Sequence, residues 1–313
     1  MALPRIYTDE TAAREHLEAL LWPSGPTCPH CGNADGKRIV KLEGKSTRPG
    51  VYKCNECRKP FSVTVGTVFE RSHIPLHQWV YATHLLTTGK KGTSSHQLHR
   101  MLGVTYKTAW FMAHRIREAM RGEGLEPLGG KGKVVEADET YFGPTENPHI
   151  SPQRRGRPYK VGSRGPRDKR AILSLVERSG AVRSFHMPTA DKHTVSRIVG
   201  ENIATESRLH TDESNLYKSI GTVFSTHKTV RHSAGEYVRG KVHTNTIEGY
   251  FSIFKRGMKG VYQHCAEKHL HRYLAEFDFR YSHRIGLGVD DTQRAAIALQ
   301  GAAGKRLTYR RTH

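Results

Sequence analysis

The 313-residue sequence predicts an α/β fold: a mixed sheet flanked by helices, preceded by a small metal-stapled ribbon and a helix-turn-helix. Three observations carry this. Two CxxC pairs sit among short β-type segments near the N-terminus. Three helical segments follow, two of them joined by a turn at Gly103. Beyond residue 132, strand-like and helix-like segments alternate.

In chain order, residues 8–22 have the spacing of an amphipathic helix, with Thr8 or Asp9 as N-cap and Pro23 as its stop. The β-type runs RIVKLE, VYKC and FSVTVGTVF then lie between glycines and the CxxC pairs, and residues 1–72 are read as this helix plus a ribbon. Residues 73–122 hold three helices, IPLHQWVYATHLLTTG, SSHQLHRMLGV and TYKTAWFMAHRIREAM. A glycine-rich linker covers 123–132. Residues 133–286 form the α/β domain, interrupted at 143–170 by an insertion rich in Pro, Gly and Arg, too polar to pack. Residues 287–313 read as a basic C-terminal tail.

Fifty Lys and Arg against 29 Asp and Glu give a formal charge of +21. Such a surplus repels itself in a compact state, so a polyanion is the natural partner. No apolar run approaches the length needed to span a bilayer, which argues against a membrane protein. The N-terminus lacks the basic-then-apolar order of a signal peptide, and the cysteine pairs suit metal in a reducing compartment, so a cytoplasmic, nucleoid-associated protein is expected.

Cys28 and Cys31 are separated from Cys54 and Cys57 by 22 residues. Thiolates three apart on a tight turn can face one ion, and two such turns complete a closed tetrahedral site, as one structural Zn2+ requires. In the third helix of the 73–122 segment, Thr105, Tyr106, Lys107 and Thr108 occupy the end from which a recognition helix reaches bases, and His114, Arg115 and Arg117 are placed to touch phosphates. Arg154, Arg155 and Arg157 of the insertion are further candidate DNA contacts.

Three acids have the placement of a metal site. Asp138 lies in the strand VVEADETYF, Asp212 at the end of RLHTDES, and Glu248 near the start of the helix TNTIEGYFSIFKR. Lys255 follows Glu248 by seven residues, two helical turns along the same face. Phosphodiester chemistry needs charge stabilised on both attacking and leaving oxygens, which two Mg2+ or Mn2+ ions about 3.5–4 Å apart supply, and hard cations take carboxylate oxygens. The neighbouring Glu136, Glu139 and Glu213 read as solvated surface charges. Thr244 or Asn245 is available as helix N-cap, and Asn245 and Thr246 as residues that orient Glu248 or contact the strand.

On the blocks CPHCG…YKCNECRKPFSVTVGTVFERSHIPLHQW, VEADETYFG, HTDESNLY and VHTNTIEGYFSIFKRGMKGVYQHCAEKHLHRYLAEFDFRYSHR, the chain resembles the zinc-ribbon DDE transposases of bacterial insertion sequences, related to the Merlin elements. The resemblance implies a ribonuclease-H-like catalytic domain, divalent metal, terminal inverted repeats and target DNA as partners, and metal-dependent DNA cleavage and strand transfer. It also assigns the three acids to Asp138, Asp212 and Glu248, with Lys255 as the trailing basic residue. Some relatives carry Asn at the third acidic position; this chain keeps Glu248. Because two element ends must be joined, a homo-oligomer on DNA is expected. The alternatives are a DNA-binding transcriptional regulator derived from such an enzyme, and a ribonuclease-H-like resolvase or nuclease.

Overall fold

A computed structural model describes residues 3–122, 124–146 and 169–308. Arg154, Arg155 and Arg157 lie outside the described residues. Two compact units result, one from Met1–Arg121 with Val289–His313, the other from Gly122–Gly288.

The first unit begins with helix α1 (Glu10–Leu21), capped by Asp9, whose carboxylate accepts from the Ala12 N–H. Helix α1 ends at Trp22, whose ring packs edge-on against Tyr52 and Phe61. Around that aromatic trio fold β1 (Ile39–Lys41), β2 (Tyr52–Cys54) and β3 (Pro60–Phe61), a small antiparallel sheet. The expected strand FSVTVGTVF stops at Phe61. Hydroxyl groups offer its backbone other partners: Thr67 Oγ1 donates to Thr64 O, and the Phe69 N–H donates to Thr67 Oγ1. Val63, Val68 and Phe69 are buried from turns instead.

Helices α2 (Leu76–Thr88), α3 (Ser95–Leu102) and α4 (Tyr106–Met120) follow as predicted. Gly103 turns the chain between α3 and α4 at φ +65°, in the left-handed region where a side chain is strained. The segment read as a C-terminal tail instead contains helix α8 (Asp291–Gln300). A capping box between Asp290 and Gln293 starts it, and Ala295, Ala298 and Leu299 are buried. α8 packs within this unit, with Arg294 donating to the Thr87 carbonyl of α2 and the Val68 N–H to Ala302 O. The basic character of the final residues, with Lys305, Arg306, Arg310 and Arg311, hid a short alanine-rich helix just before them.

The second unit is built on β4 (Val134–Pro144), β5 (Lys169–Glu177), β6 (Val182–Met187), β7 (Arg208–Thr211) and β8 (Thr226–Thr229). Their order is β6-β5-β4-β7-β8, antiparallel across the first three and parallel from β4 through β7 to β8. That is the mixed, ribonuclease-H-like sheet expected. One face, with Val135, Ala137, Leu173 and Leu175, packs on helix α5 (Lys192–Asn202). The other face, with Ile172, Val176 and Val182, packs on helices α6 (Asn245–Gly257) and α7 (Leu270–Ser282). A short hairpin, β9 (Val238–Arg239) and β10 (Val242–His243), leads into α6.

The predicted linker is partly built into this unit. Leu128 is buried in the α5-side core, its N–H donates to Asn202 O, and the Ala204 N–H donates back to Leu128 O. Gly129 follows at φ +90°, where an added Cβ would come within 2.1 Å of the Ser207 hydroxyl.

Candidate active site and metal centres

The four cysteines of the ribbon converge, with ligand atoms within 4.8 Å of one another. Cys28 and Cys57 sulfurs are 3.7 Å apart, as are those of Cys31 and Cys54. Each pair is followed by a positive-φ residue, Gly32 at +75° and Arg58 at +60°, which folds each pair into a tight turn. The Cys57 N–H, donated to its sulfur, leads the causes that pull the Cys54 thiol down to about 6. Cys31 goes the other way, to about 12: the Asn33 N–H favours its thiolate, but desolvation and three neighbouring sulfurs outweigh it. Four thiols this close cannot all ionise without a cation among them, and a closed all-sulfur donor set suits zinc.

In the second unit, strand register sorts the acids by face. Asp138 pairs with Ser174 and Glu136 with Val176, which puts both on the α6 side; Glu139 pairs with Leu173 on the other. Asp138 is not at the end of its strand, because β4 continues to Pro144. β7, however, pairs with β4 only as far as Glu136. Past that point Asp212 comes across from the end of β7, and Asp138, Glu139 and Asp212 gather with ligand atoms within 4.8 Å.

Burial, then Asp212 and Glu139, push the Asp138 carboxyl up to about 8, with Glu248 adding to the rise. Glu139 is likewise raised by burial, although the fully buried Tyr217 donates to its Oε2 at 2.6 Å. Asp212 Oδ1 accepts from the Ser214 N–H at 3.0 Å, which fixes the turn after β7. Glu248 stands on the first turn of α6, exposed, with its Oε1 accepting from the Thr244 hydroxyl at 3.0 Å and 3.7 Å from His232 Nε2. It lies outside the tight group of three, yet near enough for its charge to act on Asp138. Lys255 is held below its ordinary value by burial, and Asp138 opposes that shift. The carboxylates therefore repel one another in a desolvated pocket, an arrangement that a hard divalent cation relieves.

Two neighbours read as solvated charges are not. Glu136 is fully buried, and Glu139 is part of the acid group. Glu213, by contrast, is on the surface, where it accepts from the Ser233 N–H and hydroxyl. The helix cap also differs from expectation. Neither Thr244 nor Asn245 caps α6 with its side chain; the N–H groups of Thr246 and Ile247 donate instead to Glu136 Oε2, at 2.9 and 3.0 Å. A glutamate two residues before an aspartate in a strand was the only signal, and alternation alone would have turned it toward α6.

At the helix-turn-helix, Thr105, Tyr106 and Lys107 are exposed and Thr108 is half-buried. Thr105 caps α4, accepting from the Thr108 N–H, and the Tyr106 ring stacks on His96 at 4.3 Å. His114, Arg115 and Arg117 are buried, which corrects their reading as phosphate contacts. Arg115 spends its donors on the carbonyls of Glu70 and Leu307, because its helical position faces the unit's core.

A model of the ISXO2-like transposase domain matches residues 127–282, and a model of the transposase zinc-ribbon domain matches residues 8–60. The chain belongs to this transposase family. An uncharacterized protein in transposable element ISH50 of Halobacterium salinarum is 28% identical over 284 residues, covering 88% of this chain and 92% of the relative. Among solved structures, a pre-cleavage Mos1 transpososome is 11% identical with a TM-score of 0.27, covering 67% of this chain and 75% of that one. The Mos1 strand transfer complex is 11% identical with a TM-score of 0.28, covering 67% and 71%. Among the described residues of this transposase-family chain, no helix is long and apolar enough to cross a membrane.

Proposed function

We propose that the chain is a DNA transposase that binds the terminal inverted repeats of its element, cleaves the DNA there and joins the end to target DNA. The observation that carries this reading is the acid pocket: Asp138 and Asp212 brought together from parallel strands, with Glu248 and Lys255 on the facing helix. Asp138, Asp212 and Glu248 would hold divalent metal, Mg2+ or Mn2+, two ions per site, and Cys28, Cys31, Cys54 and Cys57 one structural Zn2+. The divalent ions would supply charge stabilisation on the attacking and leaving oxygens.

In the first step water attacks phosphorus at the element's end and a 3′-hydroxyl leaves. In the second, that hydroxyl attacks a target phosphodiester. Each step exchanges one P–O bond for another, so no covalent protein–DNA intermediate is needed. Lys255, near Asp138 and two turns beyond Glu248, meets the phosphate; Tyr217 keeps Glu139 turned into the pocket. Thr105, Tyr106, Lys107 and Thr108 contact the repeat, and Arg154, Arg155 and Arg157 contact phosphates. Two or more copies act together, because two ends must be joined, and the work is done in the cytoplasm on the nucleoid.

The test is cleavage and strand transfer of a labelled duplex carrying the inverted repeats that flank the coding region, with Mg2+, beside Asp138→Asn. Metal-dependent joining, absent in the variant, is expected. Repeat binding with no cutting would favour a regulator, and a preference for branched DNA or RNA–DNA hybrid over the repeats would favour a resolvase or nuclease.

A further inference from the structure

We infer that Glu136 is a positioning residue for the acid pocket, acting through a polar hub, centred on its buried carboxylate, that sets the three acid-bearing elements relative to one another. Glu136 is fully buried, and its carboxylate is filled from three directions. Its Oε2 accepts from the Thr246 and Ile247 N–H groups, which are orphan donors of the first turn of α6. Its Oε1 accepts from the Thr246 hydroxyl at 2.9 Å and from Arg178 Nε at 2.6 Å. A negative charge at a helix N-terminus is favourable in itself, and here it belongs to a strand of the sheet rather than to the helix.

Arg178 extends the hub. It donates to the carbonyls of Lys241 and His243, both at 2.8 Å, and thereby holds the hairpin that delivers the chain into α6. Its other contact is His210 on β7, whose Nδ1 is 3.1 Å from Nη2.

The spacing gives the hub its meaning. Glu136 lies two residues before Asp138, His210 two before Asp212, and Thr246 two before Glu248. On a strand, two residues is one repeat along the same face. The Glu136–Arg178 pair therefore touches each acid-bearing element two residues before its acid. A carboxylate needed only to neutralise Arg178 would not also have to cap α6.

This inference rests on the acid pocket being a metal site. It is tested on the full-length protein by Mn2+ binding, read by electron paramagnetic resonance, together with amide hydrogen exchange and repeat-end cleavage. Glu136→Gln keeps the size of the side chain and removes the charge. The expected result is a rise of about 10–100-fold in the Mn2+ concentration for half-saturation and a comparable loss of cleavage. Faster exchange at residues 245–248, with the zinc content unchanged, is expected alongside. In a Glu248→Gln background, Glu136→Gln should cost less than in the wild type, because one of the three acids it positions is already gone.

If Glu136→Gln fails to fold, Thr246→Val decides: it deletes one hydroxyl donor, leaves the Glu136–Arg178 pair intact, and should raise the Mn2+ requirement several-fold. Wild-type Mn2+ binding in the folded variants would overturn the inference. So would an equal loss from Glu136→Gln with and without Glu248, which marks a general structural role. If instead Asp138→Asn binds Mn2+ and cleaves like wild type, it is the metal-site reading that falls.

Discussion

The two units hold candidate metal-ligand sets assembled in opposite ways. The ribbon's four sulfurs come from two local turns, each made within a few residues, and its aromatic core of Trp22, Tyr52 and Phe61 is small. The acid pocket draws on β4, β7 and α6, and two apolar cores, one on each face of the sheet, bring these together. A ribbon of that kind depends on its ion for folding, whereas the sheet folds around its pocket and tolerates carboxylates that repel one another. Structure in the first case follows the ligands; in the second the ligands follow the structure.

The largest expected effect breaks this contrast directly. Chelation of zinc, or Cys54→Ser, should unfold the ribbon, since structural zinc contributes on the order of 10–16 kcal/mol to such modules. Limited proteolysis should then cut within residues 22–65 while the Gly122–Gly288 unit stays intact. Loss of both units together would show that the second is not independent of the first.

Next comes Asp138→Asn, which should abolish cleavage yet leave the sheet intact. Asp138 also sets a sign for pH. Its folded value, about 8, lies above the ordinary 3.8, so the stability from its neutral carboxyl is full below that ordinary value and lost as pH rises through about 8. Metal-free protein should therefore melt lower at pH 8 than at pH 5 on this account. Mn2+ should restore more at pH 8, and the asparagine variant should flatten the difference. A wild-type slope retained in Asp138→Asn would assign it to another group.

Tyr217→Phe should cost about 1.5–3 kcal/mol, the worth of a hydrogen bond to a charged group, by leaving Glu139 without its buried donor. Chemical denaturation reads this, and an unchanged midpoint would mean that Glu139 finds another partner. Smallest is Lys107→Ala, on an exposed turn of α4: the salt dependence of repeat binding should fall by roughly one ion while the melting temperature stays put. Arg115→Ala should do the reverse, because its guanidinium is buried on backbone carbonyls.

What was legible in the sequence follows the same division. The cysteine turns could be read because their geometry is local, and α1 through α4 because the apolar period of each helix is unbroken. Asp138 and Asp212 were readable from strand position, and their closeness follows from parallel pairing of β4 and β7. The cap on α6 was not, since its acceptor comes from 110 residues away, and strand alternation gives the face of Glu136 but not its partner. Nor was the burial of Arg115 and Arg117, because a basic residue on a helix signals charge but not direction. Helix α8 escaped for a third reason: it is only ten residues long, weakly amphipathic, and followed by a segment with scattered Lys and Arg that reads as a tail.

The return of α8 has a consequence for synthesis on the ribosome. Helices α2 and α4 are made early, but the Val68 N–H meets Ala302, the Gly304 N–H meets Gly66, and Thr87 waits for Arg294. The Gly122–Gly288 unit is thus complete in the nascent chain before the unit that encloses it in sequence. A message cut short after that middle unit would yield a polypeptide whose helix-turn-helix unit lacks its last helix.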